Sequence, residues 1–365
     1  MKRHNRLKKH TLGLAAALLV TAGMSQIALA GDSVYVNTSS LRYRTSALIK
    51  DNNIAGNLSY GQKLERVGTS GQWTMILLNG KKYYVSSAYV TSKKPASAGA
   101  VQTTSQTAAG AQTSGGTAIA LSSNYKYANY SKINSGTATL YRSTASNKKN
   151  KVVCVNAGHG TNGGGSVKTQ CHPDGSAKVT GGTTGAGATS AVAVSSGMTF
   201  ADGTAESKVT LAMAKVLKTK LLNAGYDVLM IRESDDVQLD NIARTVIANN
   251  NADCHIALHW DSTSSNKGAF FMSVPSNATY RAMEPVASHW KQHNQLGESL
   301  ISGLKSAGVK IYSKGSMEMD LTQTSYSTIP SVDIELGDKA SDHSGATLET
   351  LANGLLAGVN TFFGQ

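Results

Sequence analysis

Proline and cysteine are scarce in this chain of 365 residues, with five of one and three of the other against 36 glycines. Turns must therefore rely on glycine's tolerance of unusual backbone angles rather than on proline. Cys154, Cys171 and Cys254 form an odd set, so at least one thiol stays unpaired or bridges to another molecule. No C-x-x-C pair accompanies them, which argues against a cysteine-ligated metal. Cys154 and Cys254 are expected to be buried as small apolar residues. The sequence leaves open whether Cys171, beside His172, bridges to either. Aromatic residues make up 6%, and no basic helix or interleaved aromatic platform exists. The formal net charge of +13 therefore does not point to nucleic acid. Long hydrophobic runs are missing beyond the first 30 residues, so no later segment is apolar enough to span a bilayer.

What is present begins with the basic MKRHNRLKKH, then TLGLAAALLVTAGMSQIALA, which ends in Ala28-Leu29-Ala30. A charged start, an apolar run and a small-x-small site form the layout of a secretory signal peptide over residues 1–30. An uncleaved anchor is the alternative, but the run is short for a span. Removal of Lys2, Arg3, Arg6, Lys8 and Lys9 takes the charge from +13 to +8. A secreted basic protein, extracellular or wall-associated, is attracted to anionic surfaces in a salt-dependent way.

Composition shifts along the remainder. Residues 31–92 hold short alternating runs (SVYVN, LRYRT, KLERVG, WTMILLNG, KKYYVSSAYV) between close turn signals, predicting a small β-barrel. Residues 93–122 are nearly uncharged and rich in Ser, Thr, Ala, Gly and Gln, the composition of a flexible tether. The tyrosine-bearing stretch 123–150 reads either as a lead-in strand or as more linker. From 151 to 365 strands and helices alternate. KVVCVNA, DVLMIRE, DCHIALH, GAFFMSV and SVDIEL are expected strands. Helices are expected over 206–224, about 239–250, about 285–306 and ATLETLANGLLAGVNTFF. That alternation predicts an α/β domain, a mostly parallel sheet with helices on both faces, whose ligands bind beyond the strands' carboxyl ends.

Two strand exits end alike. KVVCVNAGHG delivers His159 and ADCHIALHWD delivers His259; SVDIELGD carries Glu335, and Glu206 opens a helix after a Gly/Ser/Thr-rich segment. Two imidazoles and a carboxylate suit one zinc ion, leaving a fourth position for water and a second carboxylate to take its proton. Each residue alone has a plainer reading. A histidine at a strand end is commonly a hydrogen-bonded structural group, Glu206 suits a helix N-terminus, and Glu335 could be ion-paired. Spacing leaves both readings open. His289 and His293 in HWKQH stand i, i+4, but no glutamate lies between them, and an ordinary exposed helix face is expected.

VVCVNAGHG resembles the opening strand of zinc-dependent N-acetylmuramoyl-L-alanine amidases of the amidase-3 type, which read VV-DAGHGG. ESKVTLAMAKVLKTKLLNAGYDVLMIR, LDNIARTVIANNNADCHIALHWD and IPSVDIELG resemble three further blocks of that family, in family order, the last of them MPAVLVE-GF. The resemblance implies His159, Glu206 and His259 as zinc ligands, Glu335 as the catalytic carboxylate, and peptidoglycan as substrate. The bond implied joins N-acetylmuramic acid to L-alanine of the stem peptide. A zinc peptidase acting within the stem peptide, or a non-catalytic wall-binding protein, are the alternatives. SSLRYR and GQKLERVGTSGQWTMILLNGKKYYVSSAYV resemble a bacterial SH3-like (SH3b) wall domain. The chain departs from the amidase pattern at Asn156, where the family has aspartate and the zinc histidine could lose a charged acceptor. It also departs at Trp260, Asp261 and Asp338. The stretch 160–205 is longer than the family's loop, either a flap over the cleft or an inert insertion.

Overall fold

The computed structural model describes residues 32–37, 40–48, 53–59, 61–94 and 115–365. The signal-peptide segment and most of the predicted tether lie outside these residues. Contacts divide the chain into two compact units, one within residues 1–105 and one within 106–365.

The smaller unit is all β: β1 (Asp32–Val36), β2 (Ser40–Arg44), β3 (Ile54–Ser59), β4 (Lys63–Ser70), β5 (Trp73–Leu78), β6 (Lys81–Ser86) and β7 (Val90–Thr91). They form one antiparallel sheet in the order β3-β2-β6-β5-β4-β1-β7. Alternation sends Val34, Val36, Leu41, Leu58, Leu64, Ile76 and Val85 into a single core.

The larger unit opens with β8 (Thr117–Ala120) and β9 (Thr137–Tyr141), so the stretch 123–150 contains a strand. Next come β10 (Val152–Ala157), β11 (Lys168–Gln170), β12 (Ser190–Val192), α1 (Glu206–Asn223), β13 (Asp227–Met230) and α2 (Asn241–Asn251). The unit continues through β14 (Cys254–Asp261), β15 (Ala269–Ser273), α3 (Ala278–Ala282), α4 (Val286–Ser306) and β16 (Ile311–Glu318). It closes with α5 (Thr322–Tyr326), β17 (Ser331–Asp338) and α6 (Gly345–Phe363).

Eight of these strands form a sheet in the order β16-β15-β17-β14-β10-β13-β9-β8. The sheet is mixed around a parallel centre: β17, β14, β10 and β13 run parallel, as do β15 and β16, while β15 pairs antiparallel with β17, and β9 pairs antiparallel with β13 and β8. Four of the seven strand pairs are thus parallel, and the antiparallel ones lie at the flanks. Its two faces are covered. Val153, Val155 and Ala157 of β10 pack with Val209, Met213, Leu217 and Leu221 of α1 and with α4 and α6. Cys154 packs on the opposite face with Ala243 and Ile247 of α2. A strand buried on both sides has no alternating polar stripe, which is why β10 reads as an apolar run interrupted only at Asn156.

All three cysteines are buried and unbridged. Val153, not Cys154, is the partner of Cys254 across the β10–β14 ladder. That one-residue offset places Cys154 and Cys254 on opposite faces of the sheet. His293 also departs from expectation. It is buried, and its Nδ1 accepts the Ser331 N–H at 3.0 Å, which leaves any proton of the neutral ring on Nε2. The pair in HWKQH is therefore half in the core and not poised to bind a metal.

Candidate active site

His159 leaves β10 with φ +63°, a left-handed conformation that is uncommon for a residue with a side chain. Two buried arginines hold this strained exit. Arg244 donates to the carbonyls of Ala157 and His159 and to Thr161 Oγ1, and Arg232 donates to the carbonyls of Ala157 and Gly158. At Gly158 a Cβ would stand 2.2 Å from the His259 ring, so only glycine leaves room for that imidazole.

The structure brings together the three residues expected as ligands. His159 Nε2 lies 2.9 Å from Glu206 Oε1 and 3.0 Å from His259 Nδ1, and His259 Nδ1 is 3.2 Å from the same Glu206 oxygen. They form one metal-capable cluster among the described residues. Zinc at about 2.0–2.1 Å from tetrahedral ligands sets neighbouring donor atoms ~3.3 Å apart. The three atoms thus stand at nearly that spacing. The His159 tautomer also suits a cation: its Nδ1 lies 2.8 Å from the Ser195 carbonyl, which takes the ring proton and leaves the Nε2 lone pair facing the cluster. Glu206 is fixed by two backbone donors, Trp260 N at 3.0 Å on Oε1 and Met198 N at 2.9 Å on Oε2.

Burial works against the Glu206 charge. Hydrogen bonds from His159 and His259 and their charges outweigh it and hold the carboxyl well below the usual range. His259 shows the complementary balance. Burial opposes its charge, but Asp333, Glu206 and Glu335 prevail and push its pKa up to about 10. Glu335 sits opposite His259 in the β14–β17 ladder. Its Oε2 is buried and has no hydrogen-bond partner among the described residues. Burial first, and then the neighbouring Asp333 carboxylate, raise the Glu335 pKa well above the ordinary value. Carboxyls perturbed in this way cluster at functional sites.

The cluster lies in a cleft of about 450 Å³ whose walls include Glu335, Asp333, Lys178, Thr183, Met272 and Met319. Lys178 and Thr183 belong to the long 160–205 stretch, so this stretch is a cleft wall and not an inert insertion. It is pinned at a distance. Asp320, fully buried, accepts from His172 Nε2 at 3.1 Å, Lys178 Nζ at 3.0 Å, Val179 N at 2.7 Å and Thr180 N at 3.1 Å. At Gly197 (φ +80°) a Cβ would meet the His159 ring at 2.7 Å and Glu206 Oε2 at 2.8 Å.

Asn156 does not touch the His159 ring. It accepts from Arg244 Nη1 at 3.1 Å and contacts His255 Nε2 at 3.1 Å, while the Ser195 carbonyl takes the role expected of an acceptor for His159. Asp333 escaped the sequence reading. It was visible as a second acidic residue two positions before Glu335, and period-two alternation puts both on one face of β17.

The cluster and the buried carboxyl lie together at the strand ends of a mixed α/β sheet. Residues 153–353 match the Amidase_3 family, N-acetylmuramoyl-L-alanine amidase, and the chain belongs to that family, whose members act on cell-wall peptidoglycan. Among solved structures, it is similar to the N-acetylmuramyl-L-alanine amidase Ami1 from Mycobacterium smegmatis. Identity is 18%, covering 60% of this chain and 99% of that one, with a TM-score of 0.49. It is similar also to the N-acetylmuramoyl-L-alanine amidase AmiC2 of Nostoc punctiforme, at 15% identity, 60% and 99% coverage and a TM-score of 0.42. Among curated proteins, none matches. No described helix is long and apolar enough to cross a membrane.

Proposed function

We propose that this protein is a secreted, zinc-dependent amidase that cleaves the bond between N-acetylmuramic acid and L-alanine of the stem peptide. The observation that carries the reading is the convergence of His159 Nε2, Glu206 Oε1 and His259 Nδ1 beside the unpartnered Glu335 carboxyl. His159, Glu206 and His259 hold one Zn²⁺, which when bound supplies Lewis acidity toward an amide carbonyl and a water. Glu335 takes a proton from the attacking water and returns it to the departing amine, the work of a general base and then a general acid. Its burial and the neighbouring Asp333 raise its proton affinity, and its place opposite His259 keeps it within the cleft. Ser195 and Met198 hold the first two ligands in register.

The small β unit is read as an SH3b-like wall-binding domain, on the strength of its motif resemblance and its all-β strand content. Residues 1–30 are read as the signal that exports the chain. Purified peptidoglycan digested with the full protein should gain free L-alanine amino groups and muramic lactyl carboxyls in equal number. New amino groups on any other stem residue would instead establish a peptidase. Glu335→Gln should keep the metal and lose on the order of 10²–10⁴ in rate. Wild-type turnover in that variant would remove Glu335 from the mechanism.

A further inference from the structure

The amidase-3 block that SVDIELGD resembles has leucine where this chain has Asp333. A carboxylate at that position is costly to bury, and the fold does little to satisfy it. Asp333 makes no hydrogen bond among the described residues, and its Oδ1 is buried without a partner. Its one ion pair among the described residues is with His259, whose Nε2 lies 3.6 Å from Asp333 Oδ2. The other nitrogen of that ring, Nδ1, is the atom turned to His159 and Glu206. The His259 ring thus stands between the cluster and Asp333, one nitrogen toward each.

We infer that Asp333 is a positioning residue for the metal. It draws the His259 proton to Nε2, so that Nδ1 is the nitrogen presented to zinc. The inference rests on the zinc reading above. The arrangement mirrors His159, whose outer nitrogen faces the Ser195 carbonyl, with the difference that a side-chain carboxyl stands behind His259. A carboxylate behind a ligating imidazole orients the ring and strengthens it as a donor, and loss of such a partner typically weakens metal binding 10–100-fold. A residue kept only to hold the fold would behave otherwise. Replacing a poorly satisfied buried carboxylate with leucine should leave the metal-free protein as stable as before or more so.

Full-length wild type, Asp333→Leu and Asp333→Asn are compared in three measurements: zinc affinity by chelator competition, thermal unfolding without metal, and ¹⁵N spectra of the zinc-loaded His259 ring. Asp333→Leu should bind zinc 10–100-fold more weakly with undiminished metal-free stability. Asp333→Asn, whose amide oxygen can take the carboxyl's place facing Nε2, should recover most of the affinity. The wild-type spectrum should show Nδ1 metallated and Nε2 protonated. Zinc affinity in Asp333→Leu within twofold of wild type, or zinc seated on Nε2, would overturn the inference while leaving the metal reading intact. If the leucine variant does not fold, the wild-type spectrum alone decides. A wild-type protein that takes up no zinc would refute both.

Discussion

Asp320→Asn tests whether the 160–205 wall is held by a single remote residue. Asp320 gathers donors from His172, Lys178, Val179 and Thr180, all on that wall, from a position 140 or more residues further along the chain. Asparagine keeps one acceptor oxygen but withdraws the charge facing Lys178, whose side chain is 7% exposed. Breaking a buried ion pair by removing one partner costs about 3–5 kcal/mol, and the retained oxygen places this case near ~3 kcal/mol. At 1.36 kcal/mol per tenfold, the open population of the wall rises about 10²-fold. Limited proteolysis reads that population when opening and closing outpace cleavage. The variant should be cut within the wall roughly 10²-fold faster while the sheet stays folded. Its zinc should also be held less tightly, because Ser195 and Met198, at the far end of the same segment, fix His159 and Glu206.

The pH dependence of the wild-type wall follows in sign. Burial opposes the Asp320 charge, but hydrogen bonds from His172, Thr180, Lys178 and Val179 outweigh it and hold the carboxyl far below the usual range. A depressed folded value gives stability that is complete above the unfolded pKa, about 3.9, and is lost as the pH falls through the lower folded value. Wild-type protection should therefore persist down to about pH 4 and decline only below it. Cleavage of Asp320→Asn within threefold of wild type at neutral pH would refute the staple.

Further outcomes are expected. Each of His159→Ala, Glu206→Ala and His259→Ala should lose zinc and activity together, measured by metal analysis after chelation and reloading; full occupancy in the His259 variant would contradict the ligand set. Gly158→Ala should displace the His259 ring, because the added Cβ would sit 2.2 Å from it, and zinc affinity should fall with little change in circular dichroism. Deleting residues 31–92 should weaken sedimentation with intact sacculi and slow their digestion, yet spare turnover of a small soluble muropeptide. The proposed tether of about 30 residues would let the catalytic unit search roughly 30 Å from an anchored domain. Equal sacculus binding with and without residues 31–92 would make that domain a spacer.

The parallel centre of the sheet was legible because β10, β14 and β17 carry apolar runs that stop at chemistry-bearing residues. The fourth residue, Glu206, was legible from the glycine-rich approach to a helix with a clear apolar face. Two features were not legible, for a physical reason they share. β16 is a flank strand whose sequence IYSKGSME shows little hydrophobic alternation, and its place is set by pairing with β15. The 160–205 wall has no periodicity either, since it is held by distant partners such as Asp320, Tyr326 and Arg244. Local pattern cannot report a structure fixed by a distant partner. The role expected of the residue at 156 failed for a related reason. The acceptor for His159 is a backbone carbonyl in the wall, and a carbonyl has no signature in the sequence.

The three buried, unbridged thiols bear on how the protein is made. Cys154 and Cys254 lie on opposite faces of one sheet, and Cys171 is enclosed in the cleft wall. With no disulfide among them, these thiols wait on no oxidase or disulfide isomerase, and no cross-link has to be chosen among wrong alternatives. Refolding should proceed equally well with and without reductant, and the finished protein should resist thiol reagents until it unfolds. An enzyme with that property can be assembled, and can work, across a wide range of ambient redox potentials.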